Sequence, residues 1–181
     1  MIYESYPWKM ELARHLRSIK VWTKKVHTER GYFLIERGIF VSAFIVRKLI
    51  ENKKVTDNIR NRSFNCQSYN AFRPLSDRVS RFNGIGSIDR EYDLSKPSSL
   101  HLSFYDLASE IMHSYVFVPE VDDQNRFVSF FINSYRGRDD RVLSVSLDQY
   151  QKAVELVVAD SVVSIHVWKD PKTGRIYSEL N

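Results

Sequence analysis

The stretch YVFVPEVDDQNRFVSFFINSYRGRDDRVLSVSL, residues 115–147, decides how this chain is read. Its β-branched and aromatic residues fall into three runs, at residues 115–121, 126–134 and 141–147. The connectors DDQN and YRGRDD are made of turn formers. Runs of this composition separated by such connectors predict an antiparallel meander. The chain on the N-terminal side has a different period, so the fold class expected is α+β.

That N-terminal part reads as two helices. From residue 8 to about 27, Trp8, Leu12, Leu16, Ile19, Thr23 and Val26 recur at steps of three and four, which places them on one helical stripe. Lys9, Arg14, Arg17, Lys20, Lys24 and Lys25 fall outside the stripe and make one side cationic. A second helix, about 29 to 53, follows after a short turn and is apolar around most of its circumference through Leu34, Ile35, Ile39, Ala43, Ile45, Val46, Leu49 and Ile50. It is expected to be the most buried element of an antiparallel helical hairpin. Its remaining arc combines Phe33, Phe40 and Phe44 with Glu36, Arg37, Arg47 and Glu51. These rings suit packing beneath the sheet, or a partner-binding face with aromatic anchors and a charged rim.

Downstream of the meander, residues 148–159 carry Tyr150, Ala153, Val154, Val157 and Val158 at helical spacing. Residues 162–168 and 175–180 read as a β-hairpin closed by DPKTG, where Asp-Pro opens a turn and Gly174 supplies a left-handed position. Residues 54–97, rich in Asn, Ser, Asp and Gly, are expected to be irregular apart from a short helix near 76–82, with NGIGS (83–87) as a turn before a short strand. The whole is read as a single domain over 1–181: a helical hairpin to residue 53, the irregular segment to 97, and a sheet with two further helices from 98 onward.

Composition narrows the function classes. With 43% hydrophobic and 27% charged residues, the chain is not of the disordered type. One cysteine, Cys66, permits neither an internal disulfide nor a paired-cysteine zinc site. The first residues lack a secretion-signal pattern, and the longest apolar run, residues 38–46, is far shorter than the ~20 residues of a membrane span. A cytoplasmic protein with no membrane association, no metal and no cofactor is therefore expected. The net charge of +5 is uneven: residues 1–62 hold 14 Lys and Arg against 6 Asp and Glu, and residues 101–181 hold 8 against 12. Such asymmetry marks a surface for an acidic partner, or two halves that pack together.

Three groups of residues carry candidate chemistry. HLSFYDLASEIMH, residues 101–113, contains Glu110-x-x-His113 with His101 just ahead. On a helix starting at Phe104, Asp106, Glu110 and His113 lie opposite the apolar face, and Ser103 with Asp106 matches a helix-capping pattern. Catalytic candidates are therefore His101, His113 and Glu110, serving a metal-independent nuclease or similar hydrolase. In the middle segment, Arg60, Arg62 and Arg73 are interleaved with aromatics and asparagines. With Arg14, Arg17 and Lys24 they suit RNA or single-stranded DNA, where guanidinium groups neutralise phosphates and rings stack on bases. The leading expectation is a non-enzymatic binding or accessory protein that contacts a protein partner, or itself, through Phe33, Phe40 and Phe44. Nucleic-acid binding is the alternative.

Overall fold

A computed structural model describes residues 3–24, 28–72, 88–134, 137 and 139–181. The first helix, α1 (Ser5–Trp22), starts three residues ahead of its stripe, because Pro7 falls in the first turn, where no intrahelical N–H is required. Leu12, Leu16 and Ile19 are buried, whereas Trp8 at the start of the stripe is exposed. The Thr28 hydroxyl accepts the Gly31 N–H at 3.1 Å and opens α2 (Glu29–Glu51). Ile35, Ile39, Ala43, Ile45, Val46, Leu49 and Ile50 are all buried, as their arrangement around the helix requires. The two helices pack against each other, and a Cβ added at Gly38 would lie 2.7 Å from Ile19 Cγ1, so the glycine sets their close approach.

Beyond α2 come a single helical turn, α3 (Asp57–Arg60), and an eight-residue strand, β1 (Ser63–Asn70). A second single turn, α4 (Ile88–Glu91), precedes β2 (Ser98–Ser103), which runs into α5 (Phe104–Met112). The predicted meander follows as β3 (Ser114–Val121), β4 (Phe127–Ser134) and β5 (Arg141–Ser146). The chain ends with α6 (Leu147–Ala159) and the hairpin β6 (Ile165–Lys169) and β7 (Ile176–Leu180). The main sheet is entirely antiparallel in the order β2-β1-β5-β4-β3, and β6 and β7 form a separate two-stranded sheet. The class is α+β, with the helical hairpin, α5 and α6 on one side of the five-stranded sheet.

Two expectations about the middle of the chain are corrected. The described part of 54–97 is not irregular throughout, because β1 sits between β2 and β5 and buries Phe64, Cys66 and Ser68 in alternation with the exposed Ser63, Asn65 and Gln67. The segment after NGIGS is the helical turn α4 rather than a strand, and NGIGS itself, like the short helix expected near 76–82, lies outside the described residues. Burial raises the Cys66 thiol to about 11, so the lone cysteine is an inert core group at neutral pH.

The core joins all four longer helices to the sheet. The Phe130 ring of β4 meets Tyr150 on α6 nearly perpendicular, with ring centres 5.8 Å apart, and its centre is 5.5 Å from that of Phe117 on β3. The fully buried Tyr150 hydroxyl lies 2.6 Å from Ser42 Oγ and donates to the Ile39 carbonyl of α2 at 3.2 Å. A smaller cluster of Tyr92, Phe131 and Val142, backed by Tyr69 and Leu94, covers part of the other sheet face. Among the described residues no helix is long and apolar enough to cross a membrane.

Candidate interaction site

The polar residues of α5 are dispersed among three different partners. Ser103 accepts the Asp106 N–H at 3.1 Å and donates its hydroxyl to the Asp106 carboxylate, which is the expected cap. Glu110 reaches across to the end of β4 and accepts the Ser134 N–H at 3.0 Å. His113 Nε2 lies 3.1 Å from Arg47 Nη1 of α2, and that guanidinium also holds Glu51 and stands 5.3 Å over the Tyr105 ring. His101 does not join them. In β2, Leu100 and Leu102 pair with Cys66 and Phe64 on the helix-facing side, so His101, opposite Asn65, is on the other face of the sheet. No group of three or more His, Cys, Asp or Glu side chains among the described residues could hold a metal ion.

Two open depressions flank this region. One, of about 400 Å³, is bordered by Glu51, Lys53, Arg60, Asn61, Tyr105 and Asp106. Its charges are already engaged: Lys48 and Arg47 on Glu51, Ser178 on Lys53, and Asp57 at 3.9 Å from Arg60. The other, of about 220 Å³, lies where Glu110 meets Ser134 and Arg141.

The cationic residues are split rather than joined. The Lys9 ammonium donates to the Asp160 carbonyl, and the Asp160 carboxylate accepts from Thr56 just before α3. The start of α1 therefore adjoins α3, while Arg14 and Arg17 lie farther up the helix at ~1.5 Å per residue and Lys24 lies beyond its C-terminal end. Arg14 is paired with Glu11, and the neighbouring Lys20 with Glu155 of α6. Arg17, Lys24 and Arg62 are exposed and make no ion pair among the described residues. Arg73 lies outside the described residues.

The aromatic trio of α2 also divides. Phe40 is half-buried, with its ring 5.4 Å from Phe117 of β3, so it belongs to the core contact with the sheet. Phe33 is exposed beneath the Arg37 guanidinium, 5.6 Å from its ring, and Phe44 is exposed beside Trp8 at 6.4 Å. The heptad spacing from 33 to 40 puts both on one line, but the sheet reaches only the second.

Five exposed apolar side chains gather on the short C-terminal hairpin. The turn forms as its residues dictate: the Asp170 carbonyl accepts the Gly174 N–H at 2.8 Å, and Gly174 has φ of 69°. All five residues of β6 are exposed, among them Ile165, Val167 and Trp168, and in β7 Ile176 is 73% and Tyr177 42% exposed. Trp168 stacks between His166 and Tyr177, at 5.4 and 5.9 Å, on one face. Ile165, Val167 and Ile176 occupy the opposite face, where only Leu180 is buried. Among the described residues, the side-chain hydrogen bonds that tie the hairpin to the rest of the protein come from β7, through the Leu180 N–H on Asp57 at 2.9 Å and Lys53 Nζ on Ser178 at 2.7 Å.

No family model, curated protein or solved structure matches this chain.

The physical arrangement therefore carries the functional argument. Sequence reading located the hairpin without its exposure. The available sign was that IHVWK and IYSEL place large apolar residues on both faces, whereas a strand covered on one side alternates apolar with polar.

Proposed function

We propose that this protein is a non-enzymatic protein-binding module whose contact surface is the C-terminal hairpin, with the exposed aromatics Phe33, Phe44 and Trp8 as a second patch. The observation that carries the reading is the exposure of Ile165, Val167, Trp168, Ile176 and Tyr177 on one two-stranded ribbon. Apolar side chains exposed on both faces of one ribbon are held against partners, because leaving them in water costs ~25 cal/mol per Å². Two-stranded ribbons are marginal by themselves, so a partner that covers this one also stabilises it. The dispersal of Asp106, Glu110, His113 and His101 among unrelated contacts supports a binding role over hydrolysis.

The test is crosslinking in cells that express the chain, comparing wild type with Trp168→Ala/Ile176→Ala. A protein association, with another protein or with a second copy, is expected for wild type and lost in the variant. Identical crosslinking profiles for the two would overturn the reading.

A second reading, binding of RNA or single-stranded DNA, has the exposed Arg17, Lys24 and Arg62 in its favour. It requires affinity that falls steeply with salt. A titration with single-stranded RNA and DNA at low salt that stays flat disposes of it.

A further inference from the structure

The two edges of the hairpin are not equivalent. Ser164 and Asn181 exchange both main-chain hydrogen bonds, at 2.9 and 3.1 Å, and the Asp170 N–H donates to Arg175 at 2.8 Å. In an antiparallel ladder such pairs recur at every second residue. The phase thus fixed directs the N–H and C=O groups of His166 and Trp168 toward β7 and those of Ile165, Val167 and Lys169 away from it. On β7 the outward groups are those of Ile176, Ser178 and Leu180, and this edge faces the body, where Asp57 takes the Leu180 N–H. The β6 edge has no main-chain partner among the described residues. It is five residues long, lacks proline, and has one charged residue, Lys169, at its end. Edges of this kind are templates for another strand.

Resting on the protein-binding reading, we infer that the strand added to β6 is β6 of a second copy, paired antiparallel about Val167. The segment Ile165-His166-Val167-Trp168-Lys169 complements itself in this register. Val167 faces Val167 of the second copy, and Ile165 faces Lys169 of the second copy. The outward N–H and C=O groups at these positions then satisfy one another reciprocally. Like charges do not meet, since each Lys169 lies opposite an isoleucine, whereas a register shifted four residues toward the turn would oppose Lys169 to Lys169. His166 lies beside Trp168 of the second copy on the aromatic face, and the aliphatic faces join into one sheet of four strands. The contact is isologous, the closed two-fold type that stops at a dimer. A single five-residue edge buries less than the ~800 Å² per partner of a standard interface, so the dimer is a weak one that forms as concentration rises.

The experiment is sedimentation velocity on the full chain from about 1 to 200 µM, with circular dichroism and thermal melts confirming that each variant is folded. Wild type is expected to pass from monomer to dimer across this range. Ile165→Lys sets lysine against Lys169 of the second copy and is expected to weaken dimerisation at least tenfold. Ile165→Lys/Lys169→Glu restores opposite charges and is expected to recover it. Val167→Pro removes an outward N–H while leaving the β6–β7 ladder its donors, and is expected to give a folded monomer. A dimer insensitive to Ile165→Lys and Val167→Pro would overturn the inference by placing the interface elsewhere. A monomer at every concentration, with another protein still crosslinked through Trp168 and Ile176, would overturn self-pairing and leave the protein-binding reading in place. A monomer with no hairpin-dependent crosslink would overturn both.

Discussion

Thr56 gives both of its donors to Asp160: the main-chain N–H at 2.9 Å and the hydroxyl at 2.8 Å, across 104 residues of sequence. The hydroxyl at the start of α3 is thus committed to a distant carboxylate rather than to its own helix. The same Asp160 offers its main-chain carbonyl to Lys9, so one residue at the end of α6 ties together the beginnings of α1 and α3, at the root of the hairpin.

Hydrogen bonds to a charged acceptor contribute ~1.5–3 kcal/mol each when partly buried. Asp160→Ala is therefore expected to lower stability by about 2 kcal/mol, and Asp160→Asn, which keeps one acceptor, by about half as much. Urea denaturation followed by circular dichroism measures both. Two variants within ~0.5 kcal/mol of wild type would show that Thr56 is satisfied equally well by water.

The contact between Gly38 and Ile19 predicts a change of sign. Alanine ordinarily improves on glycine inside a helix by ~1 kcal/mol. At position 38 the added methyl would stand 2.7 Å from Ile19 Cγ1, and Ile19 is wholly buried, so overpacking at ~1–3 kcal/mol outweighs that gain. Gly38→Ala is expected to destabilise the wild-type chain by about 1 kcal/mol and to stabilise the Ile19→Ala chain. A double-mutant cycle from denaturant midpoints decides it, and strict additivity would contradict the close packing of α1 on α2.

His15 makes stability depend on pH. Its ring is buried, with Nε2 3.0 Å from Glu11 Oε1. Burial lowers its affinity for a proton; the Glu11 carboxylate works in the opposite direction, and Arg14 and Arg37 add to the lowering. The folded chain thus holds the ring neutral at a pH where the unfolded chain has begun to protonate it, below about 6.5. Stability is complete above that value and falls as the pH drops through it. His15→Leu is expected to flatten the dependence between pH 7 and 5, read from melting temperatures at three pH values. An unchanged slope would mean that another group is responsible.

The parts of the fold legible in the sequence were those with two independent marks. The second helix had both an all-round apolar pattern and a short turn ahead of it, and the terminal hairpin had both β-rich strands and DPKTG. β1 and β2 had only one mark. Their inward positions, Phe64, Cys66 and Ser68 with Leu100 and Leu102, include few large residues, and their outward positions are Asn65, Gln67, Ser99 and His101. A strand with one solvated polar face and a thinly apolar inner one resembles a loop in composition, and only the period of two separates them. The same omission left open the side to which His101, just ahead of α5, is turned; its pairing with Asn65 in β2 decides it. Helical geometry placed Asp106, Glu110 and His113 together correctly, but it has no information on Ser134 or Arg47, which come from other elements and divide the trio.

The order β2-β1-β5-β4-β3 also governs how the chain fares while it is being made. β1 can pair with β2 as soon as Ser103 has emerged, but its other edge has no partner until Arg141–Ser146 follows, after α5 and the first two strands of the meander. During that interval the main-chain edge of β1 stands open on the nascent chain, although Phe64 already has Phe104 of α5 beside it, so the hazard during elongation is the recruitment of a wrong strand.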